Sequence, residues 1–146
     1  FLPSDINAAI LWRQFELFDH IQQKRKRIYQ LYDYYLSSLM EKGYFKIPIL
    51  PDHIKSNYHM YYLLLKTEEE RDQLMNYLKS KGILAVFHYL PLHKSEYYTN
   101  HYPTVNLPVT EQVSSCLLRL PFYYSLKKRQ IKYICKVIFD YFTNED

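Results

Sequence analysis

The sequence predicts an α+β domain: a small three-stranded, mainly antiparallel sheet covered by helices and preceded by one long amino-terminal helix. Three observations lead there. Apolar residues recur at three- and four-residue steps across most of the first 42 positions. Short aromatic and aliphatic runs follow, each bounded by turn residues and too short to be a helix. Helical patterns with their own start and stop signals separate those runs.

Leu2-Pro3-Ser4-Asp5 reads as a helix entry, with Ser4 as N-cap and Asp5 in the first turn, where negative charge suits the dipole. Leu11, Phe15, Phe18, Ile21, Ile28, Tyr32, Tyr35 and Leu39 then form a stripe that runs to Gly43. An unbroken helix over residues 5–42 would be about 57 Å long at 1.5 Å per residue. A compact chain of this size is only about 38 Å across. With no proline inside to kink it, the helix is expected to protrude and to pack against material outside this chain.

Pro48 and Pro51 frame a loop into Tyr58–Leu65, the first expected strand. Thr67 and Glu70 have capping-box spacing ahead of a helix through Leu74, Tyr77 and Leu78, which should stop at Gly82. Ile83–Phe87 is the second strand, and residues 94–109 show no period and read as an irregular loop. Thr110 is the expected cap of a short helix through Val113 and Leu117. Leu118-Arg119-Leu120, ahead of Pro121, reads as an edge strand, and Ile131, Ile134, Ile138 and Phe142 mark one face of the last helix.

Composition narrows the function. The chain of 146 residues has 17 tyrosines and only 2 glycines, against roughly 10 glycines at average usage. So few glycines argue against a phosphate-wrapping loop and hence against a self-contained nucleotide or cofactor domain. A net charge of +4, spread along the chain, does not mark a nucleic-acid binder. Cys116 and Cys135 fall in apolar helical patterns, which predicts reduced, buried thiols. With no signal peptide and no run near the ~20 residues a bilayer span needs, a cytoplasmic location is expected. The chain starts at Phe1 rather than Met, as a piece of a longer protein would.

Residues 82–93 carry the strongest functional signal, because a helix-stop glycine and a short strand deliver His88, Tyr89 and His93 onto a loop containing Pro91. His88 and Tyr89 offer a donor, or a cation when protonated, beside a phenol, a pairing suited to phosphate oxygens or sugar hydroxyls. His93 has two readings, ligand contact or a structural bond that braces the turn. The five-residue step between the histidines matches neither the His-Glu-x-x-His zinc pair nor a finger. Ser114, Ser115 and Cys116 have no neighbouring base, so nucleophilic catalysis finds no support. Lys24-Arg25-Lys26-Arg27 is read as solvated helix surface. Lys127-Lys128-Arg129, at a helix start that disfavours cations, is read as a surface cluster, with an anion site as the alternative.

Four segments in this order, Leu2–Ile10, Asn57–Tyr62, Ala85–His93 and Leu118–Tyr123, resemble the carboxy-terminal part of the pyridoxal-phosphate (PLP) sugar aminotransferases of the DegT/DnrJ/StrS family. The similarity is greatest to the branch that makes dTDP-4-amino-4,6-dideoxygalactose for enterobacterial common antigen and related polysaccharides. The resemblance implies that residues 1–42 form an inter-domain helix and 43–146 the small domain of a fold-type-I homodimer. The PLP-binding amino-terminal domain, with its glycine-rich loop and Schiff-base lysine, would be absent. It implies a reaction in which glutamate gives its amino group to a dTDP-4-keto sugar on PLP. His88 and Tyr89 would stand at the site mouth near the nucleotide-sugar pyrophosphate, while no catalytic or cofactor-binding residue carries over. The chain alone would bind no PLP and be inactive. The alternative is a non-enzymatic module that binds a protein partner or single-stranded nucleic acid through its aromatic and basic surface.

Overall fold

The computed structural model describes residues 2–143. Among them six α-helices surround a three-stranded antiparallel sheet, as the α+β pattern predicts. The helices are α1 Asp5–Glu16, α2 Phe18–Glu41, α3 Glu68–Ser80, α4 Glu96–His101, α5 Pro108–Cys116 and α6 Lys128–Thr143. The strands are β1 Tyr62–Leu64, β2 Val86–Phe87 and β3 Leu117–Arg119.

The long first helix is divided. Leu17 leaves helical geometry at φ −99° and ψ 4°, its N–H turns back to the Gln14 carbonyl, and α2 starts afresh from its own carbonyl, which accepts from Ile21. One residue in the bridge region is thus enough to reset the ladder without proline. α1 buries no residue, whereas α2 buries Ile28, Tyr29, Tyr32, Leu36 and Leu39. Ser4 does cap α1, accepting from the Asn7 N–H.

Both glycines close helices. Gly43 and Gly82 have φ of +78° and +74°, and each donates to the carbonyl three residues back while the following N–H reaches five back, Tyr44 to Leu39 and Ile83 to Leu78. That is the Schellman arrangement, which needs the left-handed conformation at C′. At the start of α3, Thr67 accepts from the Glu70 N–H as expected, but the Glu70 carboxylate takes the Lys66 N–H rather than that of Thr67. The reciprocal half of the capping box is shifted by one residue.

The sheet runs β1-β3-β2, so the segment expected at an edge is the central strand. Pro121 does not forbid this, because it lies beyond the strand, and the last N–H of the run, on Leu120, is used by the Tyr61 carbonyl. Leu63, Leu118 and Phe87 share one row of the sheet and Tyr62, Arg119 and Val86 the next, facing opposite ways. Leu63 and Leu118 are fully buried with Leu36, Leu74, Leu78, Ile131 and Ile138. The strands at Tyr58–Leu65 and Ile83–Phe87 are shorter than predicted, and Tyr58 adopts φ +46°, outside any ladder.

Three tyrosines anchor the sheet to α2. Tyr61 stacks on Tyr32 at 4.9 Å and meets Tyr29 edge-on at 4.9 Å. Each phenol has an acceptor: Tyr32 gives its proton to the Pro121 carbonyl, Tyr29 to that of Pro48, and Tyr61 to the Asp33 carboxylate at 2.8 Å. Burial pushes the Asp33 carboxyl up from the usual range, and the Tyr61 bond offsets part of that rise. Cys116 and Cys135 are buried free thiols, with Cys135 pushed up to about 12 by desolvation.

The loop expected over 94–109 holds α4, capped by Ser95, which accepts from Tyr98 N–H. At six residues it shows no apolar period to read. Helix α5 starts at Pro108, not after Thr110, since proline has its φ preset for the first helical position. Among the described residues no helix is long and apolar enough to cross a membrane.

Candidate functional site

Strand β2 ends at Phe87, and the chain beyond it lies at the rim of the sheet. Phe87 stands against the guanidinium of Arg71, 5.4 Å from its ring centre, on the α3 side. Arg71 is 5% exposed and paired with Glu68 and Asp72, so that side is structural. His88 and Tyr89 lie beyond it. Their rings are 5.4 Å apart in an edge-on contact, with His88 half-buried and Tyr89 largely exposed.

The structure adds Arg119 to this pair. Its guanidinium carbon lies 5.4 Å from the centre of the Tyr89 ring, and its Cα is in register with Val86, two residues before His88. The Nδ1 of His88 and the Nε of Arg119 are both buried without a hydrogen-bond partner. An unmet buried donor or acceptor costs about 1–3 kcal/mol. Two of them around one exposed tyrosine make this the polar concentration in the fold least explained by folding. The alternation Leu118-Arg119-Leu120 already put Arg119 on the opposite face from two core leucines, and that signal could have identified it.

His93 does not join His88. Its Nε2 is 3.2 Å from the Glu111 carboxylate, whose other oxygen accepts from Lys94 at 2.6 Å, and Glu111 also takes the Leu107 N–H. This ties the loop after His88 to the first turn of α5, the bracing alternative for His93. His59 is exposed and bonded to Asn57, ahead of β1. Among the described residues no three His, Cys, Asp or Glu side chains gather as a metal site would require.

Lys94 first and His93 second hold the Glu111 carboxyl down at about 2. Because the folded value is depressed, its contribution is present above the ordinary 4.5 and is lost as pH falls toward about 2. Glu111→Gln is therefore expected to lower the urea midpoint at neutral pH, with the difference from wild type closing across that acidic window. A pH-independent difference would refute the ionic account.

A surface cavity of about 620 Å³ between Gly82–Leu84 and the start of α6 is lined by Tyr123, Arg129 and Tyr133, and touches neither His88, Tyr89 nor Arg119. A groove of about 460 Å³ at the α1–α2 elbow is lined by Leu11, Phe15, Phe18, Ile21 and Tyr124. Ile6, Ile10 and Trp12 on α1 are exposed as well.

The profile of the DegT/DnrJ/EryC1/StrS aminotransferase family matches residues 4–139. Among solved structures, Helicobacter pylori PseC, an aminotransferase of pseudaminic acid biosynthesis, superposes with a TM-score of 0.86 at 25% identity over 99% of this chain and 38% of its own. A DegT/DnrJ/EryC1/StrS aminotransferase from Brucella abortus gives 0.76 at 31% identity over 92% of this chain and 34% of its own. Streptococcus pneumoniae Spr1654 in its PLP form gives 0.80 at 23% identity over 91% of this chain and 34% of its own. The chain thus spans little more than a third of the length of the structures it matches.

Proposed function

The chain belongs to the DegT/DnrJ/EryC1/StrS aminotransferase family, and from that premise we propose that it is the carboxy-terminal, substrate-side portion of a PLP-dependent nucleotide-sugar aminotransferase. The reaction moves an amino group from glutamate to a dTDP-4-keto-6-deoxyhexose for a surface polysaccharide, lipopolysaccharide or common antigen, in a cytoplasmic homodimer. The observation that carries the reading is the His88–Tyr89 pair, whose phenol is exposed and whose imidazole nitrogen is buried without a partner. A sugar hydroxyl or phosphate oxygen admitted by a shift of the pair would satisfy that nitrogen.

The residues described here do not build a cofactor site. Both glycines close helices, so neither opens a phosphate-cradling turn, and the buried charged side chain among them is Arg71 rather than a lysine. No step through PLP is therefore assigned to this chain. In the proposed enzyme a large amino-terminal domain holds the cofactor, and the apolar face of α1 with the groove at its elbow is the surface that domain covers.

Residues 1–146 purified with excess PLP are expected to show no aldimine absorption and no transamination. In a polypeptide that joins them to a family cofactor domain, His88→Ala and Tyr89→Ala are expected to raise KM for the nucleotide sugar about tenfold each, with kcat changed far less. A yellow, active 146-residue chain, or a KM unmoved by both substitutions, would overturn the proposal.

A further inference from the structure

We infer that Arg119 is the oxyanion-recognising residue of this site. The inference rests on the nucleotide-sugar reading above and deepens it. Arg119 reaches the rim from the central strand, and hydrogen bonding on both of its edges fixes that strand as firmly as any part of the sheet. Among the described residues no carboxylate pairs with it, nor with the half-buried Arg25, and Arg119 differs from Arg25 in that its Nε is also buried without a hydrogen-bond partner. A half-buried guanidinium without a counter-charge is unusual, because arginine is rarely removed from water unless it is paired.

Its orientation is set by the Tyr89 ring, 5.4 Å away. Cation–π attraction holds the guanidinium over the ring, and the terminal N–H groups of such a fork suit bidentate contact with two oxygens. His88 is in edge-on contact with the same ring. The ligand chemistry that fits is an oxyanion with two oxygens in one plane. In the proposed reaction it has two sources, the diphosphate of the sugar carrier and a carboxylate of the amino donor. We assign the diphosphate, since its charge density matches a guanidinium fork and an imidazole that share contact with one tyrosine ring.

The test uses the ¹⁵N-labelled 146-residue chain and follows the Nε–Hε resonance of Arg119 while inorganic pyrophosphate or sodium glutamate is added at constant ionic strength. Saturable movement of that resonance with pyrophosphate is expected, with at least about tenfold weaker binding in Arg119→Lys, which keeps the charge and loses the fork. Arg119→Met should abolish binding; in both variants binding is read from pyrophosphate-dependent movement of the His88 and Tyr89 backbone amides, while the rest of the backbone spectrum reports that the fold is kept. Movement with glutamate alone would overturn the diphosphate assignment. Unchanged pyrophosphate affinity in Arg119→Met, together with its loss in His88→Ala, would overturn the role of Arg119 and leave the proposed function standing. Absence of saturable binding to the wild-type chain would overturn the inference, while the KM measurements on the joined polypeptide judge the function separately.

Discussion

Tyr61→Ala is expected to remove about 3–5 kcal/mol of folding free energy, the range for truncating a fully buried aromatic. Tyr61 has no exposed surface, touches Tyr29 and Tyr32, and joins β1 to α2 through Asp33. The loss therefore combines a cavity with a half-buried carboxylate left without its phenol. Domains of this size have only about 5–15 kcal/mol in total, so the variant should unfold at a much lower urea concentration. Tyr61→Phe separates the two causes: it keeps the ring and should cost about 1–3 kcal/mol through Asp33 alone. The sign of the pH effect follows from the raised Asp33 carboxyl. The folded state holds that proton more tightly than the unfolded chain, so the cost of keeping Asp33 ionised falls as the pH is lowered through its folded pKa. If Tyr61→Phe lost as much stability as Tyr61→Ala, the packing argument would fail.

Leu118→Ala should follow closely, at about 2–5 kcal/mol. Leu118 has no exposed surface and lies in register with Leu63 on one side and Phe87 on the other, so its side chain is the middle of one of the two rows that cross the sheet. Leu84→Ala, at a position 74% exposed, is the control and should stay within about 0.5 kcal/mol. Amide exchange provides the second readout. The Leu63 and Leu118 protons should lose protection together, because the neighbouring strands meet through β3 alone. Since Arg119 is the next residue, partial loosening here should also weaken the pyrophosphate response. A loss below about 1 kcal/mol would mean that this face of the sheet is not closed by the helices.

Elements with strong local chemistry were legible before any coordinates. Ser4, Thr67, Gly43 and Gly82 start or stop helices through hydrogen bonds with their immediate neighbours, and all four do so. The apolar faces of α2 and α6 were visible for the same reason, since three- and four-residue steps oblige those side chains to share a side. The break at Leu17 was not legible, because it carries no glycine or proline. Helix α4 was missed since its six residues bury nothing. The partial capping box at Thr67 shows the limit of spacing arguments: the side chains were identified correctly, but one reciprocal acceptor shifted by a residue.

For the site, the sequence located His88 and Tyr89 by the loop that presents them, and it left His93 between two roles. Tertiary structure decided that choice by bringing Glu111, 18 residues away, to its ring. It also moved Leu117–Arg119 from the edge to the centre of the sheet, and with that placed a guanidinium over the Tyr89 ring from 30 positions further along the chain. The sequence by itself determined most of the helical segments, where most of them stop, and the buried faces of α2 and α6, because those follow from bonds and periodicities within a few residues. Strand order, the pairing of distant charges and the meeting of Arg119 with Tyr89 depend on contacts between segments far apart in the chain. Only closure of a common core selects among such contacts.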